Sequence, residues 1–407
     1  MSGLAVWMYG RQIALFARQR DTLSLAYTPD ALELGAGRPL LSISMPTRTR
    51  RYSGGVPHAF FNGLLPEGEA RQMIAYDFGV ADNAFDLLNA IGRDCAGALV
   101  IVPDGEVPNE DGVPEPIPDA EVAERIRLLP IAPLGVDEKI RASLAGMQQK
   151  LLLSRLGDGW GLPANGAPST HIIKPPSQDA RFPNLIANEA FCLHIARHLG
   201  LSVADVAISE FDGLPVLIIE RYDRTEPDGR GHVTRVHQED FCQARGYDGT
   251  RTRKYESQGG PSLRQCATTL TDWSQEPDQL ERLLDVTTLN VLVGNADGHG
   301  KNLSLLHGRN GQIQLAPIYD VFASIWYPEH STEPGMHVNG IRDITAITRD
   351  DLIAEATSWG LHREVAADRI EQLLSRAEDA VARAADELRP PDDLAELVQA
   401  RARTFAP

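Results

Sequence analysis

Cysteine is scarce: Cys95, Cys192, Cys242 and Cys266 are the four in 407 residues, far apart and with no CxxC pair. In a chain of this length such spacing excludes a small disulfide scaffold and reads as reduced, buried thiols in a reducing compartment. Positive charge is short too. Lys and Arg total 39 against 56 Asp and Glu, a net charge of −17. A body this acidic is poorly suited to hold nucleic acid by itself, because phosphate contacts need basic surface. No apolar run reaches the roughly 18–20 residues a membrane helix needs. The first residues, MSGLAVWMYGRQIALFAR, carry no charged leader ahead of an apolar stretch, so no signal peptide is expected. No internal repeat is visible, and a cytoplasmic protein is the expectation.

What is present is an ordinary globular composition, 43% hydrophobic and 23% charged, at a length that suggests two or three domain-sized units. Residues 1–101 read as short strands, Leu4–Tyr9, Gln12–Ala17 and Leu23–Tyr27, then helices at Glu69–Phe78 and Ala84–Ile91 and a closing strand, Ala98–Ile101. Residues 102–118, rich in Pro, Gly and acids without periodicity, read as a linker. Residues 119–236 offer strands at Leu151–Ser154, Thr170–Lys174, Val203–Phe211 and Leu214–Tyr222 and a helix at Asn188–Leu199. Asp212-Gly213 supplies a type I′ turn. Residues 237–407 turn helical, over Pro261–Thr269, Asp278–Val293, Arg349–Trp359 and a tail, Glu364–Leu388. A strand–helix–strand lobe followed by a mostly helical lobe can place a ligand between them.

The densest polar cluster is Gly294-Asn295-Ala296-Asp297-Gly298-His299-Gly300-Lys301-Asn302, followed by Ile318-Tyr319-Asp320. An acid, four residues, then an amide is the spacing of a protein-kinase catalytic loop, where the Asp accepts the substrate hydroxyl proton and the Asn binds a metal. Asp320 is placed as the second, Mg²⁺-holding acid, since Mg²⁺ needs only one or two carboxylates. A polar turn with Asp and Asn capping helices fits the same spacing. Upstream, Ser143-Leu144-Ala145-Gly146-Met147-Gln148-Gln149-Lys150 is a small-residue loop before a strand. It could lay N–H groups over phosphates or be a plain helix-to-strand connection. Lys174 ends an apolar strand and could hold phosphates with Glu189 as its ion-pair partner, or snorkel at the surface. Glu220, Arg221 and Tyr222 end the next strand, where backbone could meet an adenine edge.

The order phosphate loop, Lys, Glu, linker, base and metal ligands is that of a kinase. At these residues the chain resembles the HipA family of serine/threonine kinase toxins. The resemblance rests on FFNGLLPEG at 60–68, GRDCAGAL at 92–99, SLAGMQQK at 143–150, HIIKPP at 171–176, ERYDR at 220–224, HQEDFCQ at 237–243, KYESQGGP at 254–261, GNADGHGKN at 294–302 and PIYD at 317–320. It implies an α+β, protein-kinase-like fold related to lipid kinases, two-lobed, with a strand-rich N-terminal subdomain and a mostly helical C-terminal lobe. Asp297 is then the general base, and Asn302 and Asp320 the Mg²⁺ ligands. ATP is expected to meet Ala145, Gly146, Met147, Gln148, Gln149, Lys150, Lys174, Glu220, Arg221, Tyr222, His299, Gly300, Lys301, Asn302, Tyr319 and Asp320. Ser143 matches the serine such kinases autophosphorylate to switch themselves off. Met147-Gln148-Gln149 departs from the family pattern, which has a small residue first and usually Glu or Pro third.

The same resemblance implies a helix-turn-helix antitoxin partner, DNA contact only through that partner, and a protein substrate such as an aminoacyl-tRNA synthetase. Two rivals compete. One is a metal-dependent phosphoesterase, drawn from the D-x-H of Asp297 and His299 with His307 nearby; the other is a non-catalytic, antitoxin-binding pseudokinase. In either kinase reading the charge of −17 leaves ATP to a local set of Lys150, Lys174, Lys301 and Mg²⁺.

Overall fold

The computed structural model describes residues 2–20, 22–110, 112–137, 140–225, 227–228, 232–250 and 253–405. They pack as two compact units. One comprises residues 1–175, 209–251 and 306–311; the other comprises 176–208, 252–305 and 312–407.

The first unit holds two antiparallel sheets. Runs of apolar residues build the N-terminal one, in which Ser2–Met8 lies between Arg11–Gln19 and Leu99–Pro103. Thr22–Tyr27 and the short Tyr52–Ser53 complete it. Its inward residues, Leu4, Val6, Phe16 and Leu25, pack on Phe60, Phe61, Leu64 and Leu88. Gly55–Gly63, unmarked in the sequence because glycines flank it, is a helix, and FNGLLPEG therefore begins inside one helix and ends at the start of the next, Gly68–Asp77. The second sheet runs Leu214–Glu220, His171–Lys174, Leu151–Leu156, Gly159–Leu162, with Val206–Phe211 at one edge. The hairpin at Asp212-Gly213 has φ of 50° and 71°, the left-handed pair that a type I′ turn requires.

Residues 102–118 depart from the expected structureless linker. Glu115–Ile117 is a strand on Gly159–Leu162, and Ile117 is buried. Pro116 is tolerated because the strand is an edge. Asp119–Leu128 is a helix that the sequence reading passed over.

The second unit is mainly helical. Leu263–Trp273 begins on a Ser262/Gln265 capping box. Gln279–Val293 ends at Gly294 with φ 73°, where a side chain would collide with Ile325. The tail pattern predicted over Glu364–Leu388 is two helices, Arg363–Leu374 and Ala377–Leu388, and a further one spans Asp392–Phe405. Its core gathers Leu283, Leu289, Leu292, Ile370, Leu373, Val381 and Val398. The four cysteines are buried, as expected. Among the described residues no helix is long and apolar enough to cross a membrane.

Candidate active site

In the second unit the loop after Gln279–Val293 is fixed by its own polar groups. Asn295 donates to Asn290 Oδ1 at 2.9 Å and accepts from the Asp297 N–H at 3.2 Å. The Ala296 N–H reaches Ser324 Oγ at 2.8 Å. Gly298 is needed because a Cβ there would sit 2.8 Å from the Asn290 side chain. These bonds present the Asp297 carboxylate on a hydrogen-bonded polar turn. Tyr255 donates its hydroxyl to Asp297 Oδ1 at 2.7 Å. Burial pushes the Asp297 carboxyl above its ordinary range, and Asp320 adds to the rise; the Tyr255 hydrogen bond and the Lys254 charge oppose it.

Asn302 donates to Asp320 Oδ2 at 2.7 Å. The two residues assigned to Mg²⁺ are thus adjacent, with the Asn302 amide nitrogen towards Asp320 and its Oδ1 accepting from the His299 N–H at 3.3 Å. Asp320 has φ 57°, a strained conformation for a residue with a side chain and one that clusters at functional sites. The strain is held by bonds on both flanks. Ile318 N–H bonds Ser202 O at 2.8 Å, and Ala323 N–H bonds Asn188 Oδ1 at 2.8 Å on the helix Leu185–His198. The Tyr319 hydroxyl donates to Lys301 O at 2.6 Å and accepts from Ser304 Oγ at 2.7 Å, which ties the two motifs together. His299 is buried, and burial followed by the Lys254 charge drives its pKa well below the ordinary imidazole value, so the ring is neutral. Its Nδ1 accepts from the Lys301 N–H. Gly300 N–H bonds Lys254 O at 3.0 Å. Lys254 and Tyr255, both unassigned from the sequence, are the closest neighbours that act on Asp297. Their signal was in the KYESQGGP segment, whose chemistry gave no reason to single them out. Glu189 is buried in Leu185–His198.

The remaining expected residues lie in the first unit. Ser143 is fully buried, donating Oγ to Leu64 O at 2.8 Å and its N–H to Asp94 O at 2.8 Å. The loop it heads is braced by Glu67 N–H on Gly146 O at 3.3 Å and by Lys150 Nζ on Ala145 O at 3.1 Å. Gly146 has φ 119°, and a Cβ there would stand 2.6 Å from Lys150 Nζ. Met147 is exposed, and Gln148 Nε2 is buried without a hydrogen-bond partner. Gln149 lies beside it, partly exposed. Lys174 closes its strand opposite Leu217 and is only 5% exposed. A snorkelling surface lysine is thereby excluded.

Glu220 pairs with His171 across the sheet, and Tyr222 donates to Gln238 at 2.5 Å. Arg221 is different in kind from a simple strand-end residue. Its N–H bonds Thr170 O at 2.9 Å, and its guanidinium enters a buried ion network. Arg221 meets Asp223 at 2.8 Å, Arg224 meets Asp94 at 2.9 Å, and Arg235 meets Asp94 at 3.4 Å. Ser169 donates to Asp94 at 2.6 Å and Gly97 N–H to Asp223 at 2.7 Å. The neighbouring guanidinium groups of Arg224, Arg221 and Arg235 outweigh burial and hold Asp94 down to about 2. GRDCAGAL and ERYDR are thus two halves of one internal ion cluster. His307 also lies in this unit, with Nδ1 on Pro39 O and Nε2 on Glu239 at 3.0 Å. Both ring nitrogens are engaged, which removes the histidine that a phosphoesterase reading drew on.

Comparison with known proteins agrees with this geometry. The HipA N-terminal domain model matches residues 4–102, and the HipA-like C-terminal domain model matches residues 142–381. The Sinorhizobium fredii protein Y4mE, whose name marks it as a candidate kinase, is 38% identical over 389 residues, 93% of this chain and 91% of that protein. The serine/threonine-protein kinase toxin HipA of Shewanella oneidensis is 30% identical over 391 residues, 93% of this chain and 88% of its own length. The solved structure of Shewanella oneidensis HipA with HipB and operator DNA superposes with a TM-score of 0.83 at 28% identity, covering 99% of this chain and 97% of that one. The chain belongs to the HipA family, with its kinase-like α+β fold, and is an enzyme of the serine/threonine protein kinase class.

Proposed function

We propose that the protein transfers the γ-phosphate of ATP to a serine or threonine of another protein, as the toxin of a toxin–antitoxin pair. The observation that carries this is the constellation of Asp297, Asn302 and Asp320 at kinase spacing, with Asn302 bonded to Asp320 and burial pushing the Asp297 carboxyl above its ordinary range. Asp297 accepts the substrate hydroxyl proton. Asn302 and Asp320 are the residues that would hold Mg²⁺, which neutralises phosphate charge when bound. His299, Gly300, Lys301 and Tyr319 border the nucleotide. Ala145 to Lys150 and Lys174 take its phosphates, and Glu220, Arg221 and Tyr222 its base. Glu189 is proposed as a supporting residue. Two buried lysines at the loop and strand end supply cations in an otherwise acidic protein.

By family likeness the partner is a helix-turn-helix antitoxin that carries the DNA contact, and the target is a translation component such as an aminoacyl-tRNA synthetase. Incubation with labelled ATP and cell lysate should label one dominant protein on Ser or Thr. Labelling of neither residue type would reject the assignment. Ser143 is the proposed autophosphorylation site. Its hydroxyl is wholly buried on Leu64, so modification requires the loop to leave its seat. A phosphate of about −1.5 to −2 charge could not return there. Mass spectrometry after Mg-ATP treatment should find phosphate on Ser143. A fully active enzyme with Ser143 unmodified would remove self-inactivation from the account.

A further inference from the structure

A second polar cluster lies outside everything assigned so far. His194 and His198 stand four residues apart on the helix Leu185–His198, so both rings project from one face, one turn apart. Glu387, near the end of Ala377–Leu388, reaches between them. Its Oε2 lies 3.1 Å from His194 Nδ1 and 3.0 Å from His198 Nε2. Among the described residues this is the one group of three His, Cys, Asp or Glu side chains whose ligand atoms all fall within 4.8 Å of one another. The histidine side chains are 14% and 10% exposed and the carboxylate 46%. The rings are therefore held in place by packing while the mouth stays open to solvent.

We propose that His194, His198 and Glu387 form a binding site for a borderline transition-metal dication of the Zn²⁺ type, clipping Leu185–His198 to Ala377–Leu388. Two imidazoles and one carboxylate are the ligand set of many three-ligand zinc sites, with solvent completing the tetrahedron. A histidine pair one helical turn apart is a chelate fixed in advance by the backbone. Imidazole donors select Zn²⁺, Co²⁺, Ni²⁺ or Cu²⁺ over Mg²⁺ and Ca²⁺. The site is thus chemically distinct from the oxygen pair of Asn302 and Asp320 and shares no residue with it. The carboxylate oxygen now occupies the point on which both ring nitrogens converge. Ion entry requires only that this half-exposed side chain draw back until all three ligands reach about 2.0–2.2 Å from the metal. The helix so clipped also carries Glu189 and the Asn188 side chain that braces the segment after Asp320.

The test is titration of the full chain, freed of metal by chelation, with Co²⁺ and then Zn²⁺ in excess Mg²⁺. Binding is read by calorimetry, by the visible bands of tetrahedral Co²⁺, and by thermal unfolding. Wild type should bind one equivalent and melt at higher temperature. Glu387→Gln and His198→Ala should weaken binding by about 10–100-fold or more, while their metal-free melting stays near that of the wild type. Should His198→Ala fail to fold, Glu387→Gln decides alone, since its side chain is half exposed. Undiminished binding in Glu387→Gln, or no stoichiometric binding by wild type, would overturn the site and leave the three residues as a carboxylate–imidazole clamp.

Discussion

Asp94 in the first unit and Asp297 in the second are both carboxylates largely withdrawn from water, and their surroundings move them in opposite directions. Asp94 sits among three guanidinium groups that hold it ionised down to about 2. Asp297 receives one hydroxyl and a lysine charge, which do not offset burial and the nearby Asp320, so its pKa rises. A group locked in one charge state can brace a fold but cannot exchange protons near neutrality. Burial moves the Asp297 carboxyl the other way, above its ordinary range. The Asp94 cluster ties GRDCAGAL to the chain around ERYDR, and Asp297 is the carboxylate proposed as the base.

That contrast can be broken by substitution. Asp94→Ala strands three buried arginines, of which Arg221 and Arg224 are each 2% exposed in the side chain. Removing one member of a buried ion network costs about 3–5 kcal/mol. Denaturant unfolding should show that loss, and a change under about 1 kcal/mol would mean that water already screens the cluster. Tyr255→Phe should do the reverse, leaving stability nearly unchanged while lowering transfer about tenfold, as expected for one charge-assisted hydrogen bond. Because the Tyr255 hydroxyl lowers the Asp297 pKa, its removal should also move the acid limb of the rate profile to higher pH. An unmoved profile would deny Tyr255 its positioning role.

A further effect is in acid. His237 is buried beside His307, and burial with that neighbour draws its pKa down to about 3. Between about 6.5 and 3 the unfolded chain therefore binds the proton and the folded chain does not. Stability should fall as pH drops through that window, by at most about 1.4 kcal/mol per unit from this group. His237→Gln should flatten the slope, as read by unfolding at a series of pH values.

Local signals were legible. Short apolar runs on either side of Gly10 marked the strands there, Asp212-Gly213 marked its turn, and the Asp297–Asn302 spacing marked the loop proposed to be catalytic. Long-range ones were not. Nothing in GRDCAGAL says that Asp94 will meet Arg224, 130 residues on, or that Tyr255 will meet Asp297, 42 residues on. Glu115–Ile117 escaped notice because an edge strand of three residues is made by its partner and not by its own composition. Gly55–Gly63 is held by the burial of Phe60 and Phe61 against the sheet, which outweighs the poor helix propensity of its glycines.

The most direct test of the central claim is Asp297→Asn, with nucleotide binding and γ-phosphate transfer measured on the same preparation. ATP binding should be retained and transfer reduced by about 10²–10⁴-fold, the loss expected for a general base. Near-normal transfer by this variant would contradict it.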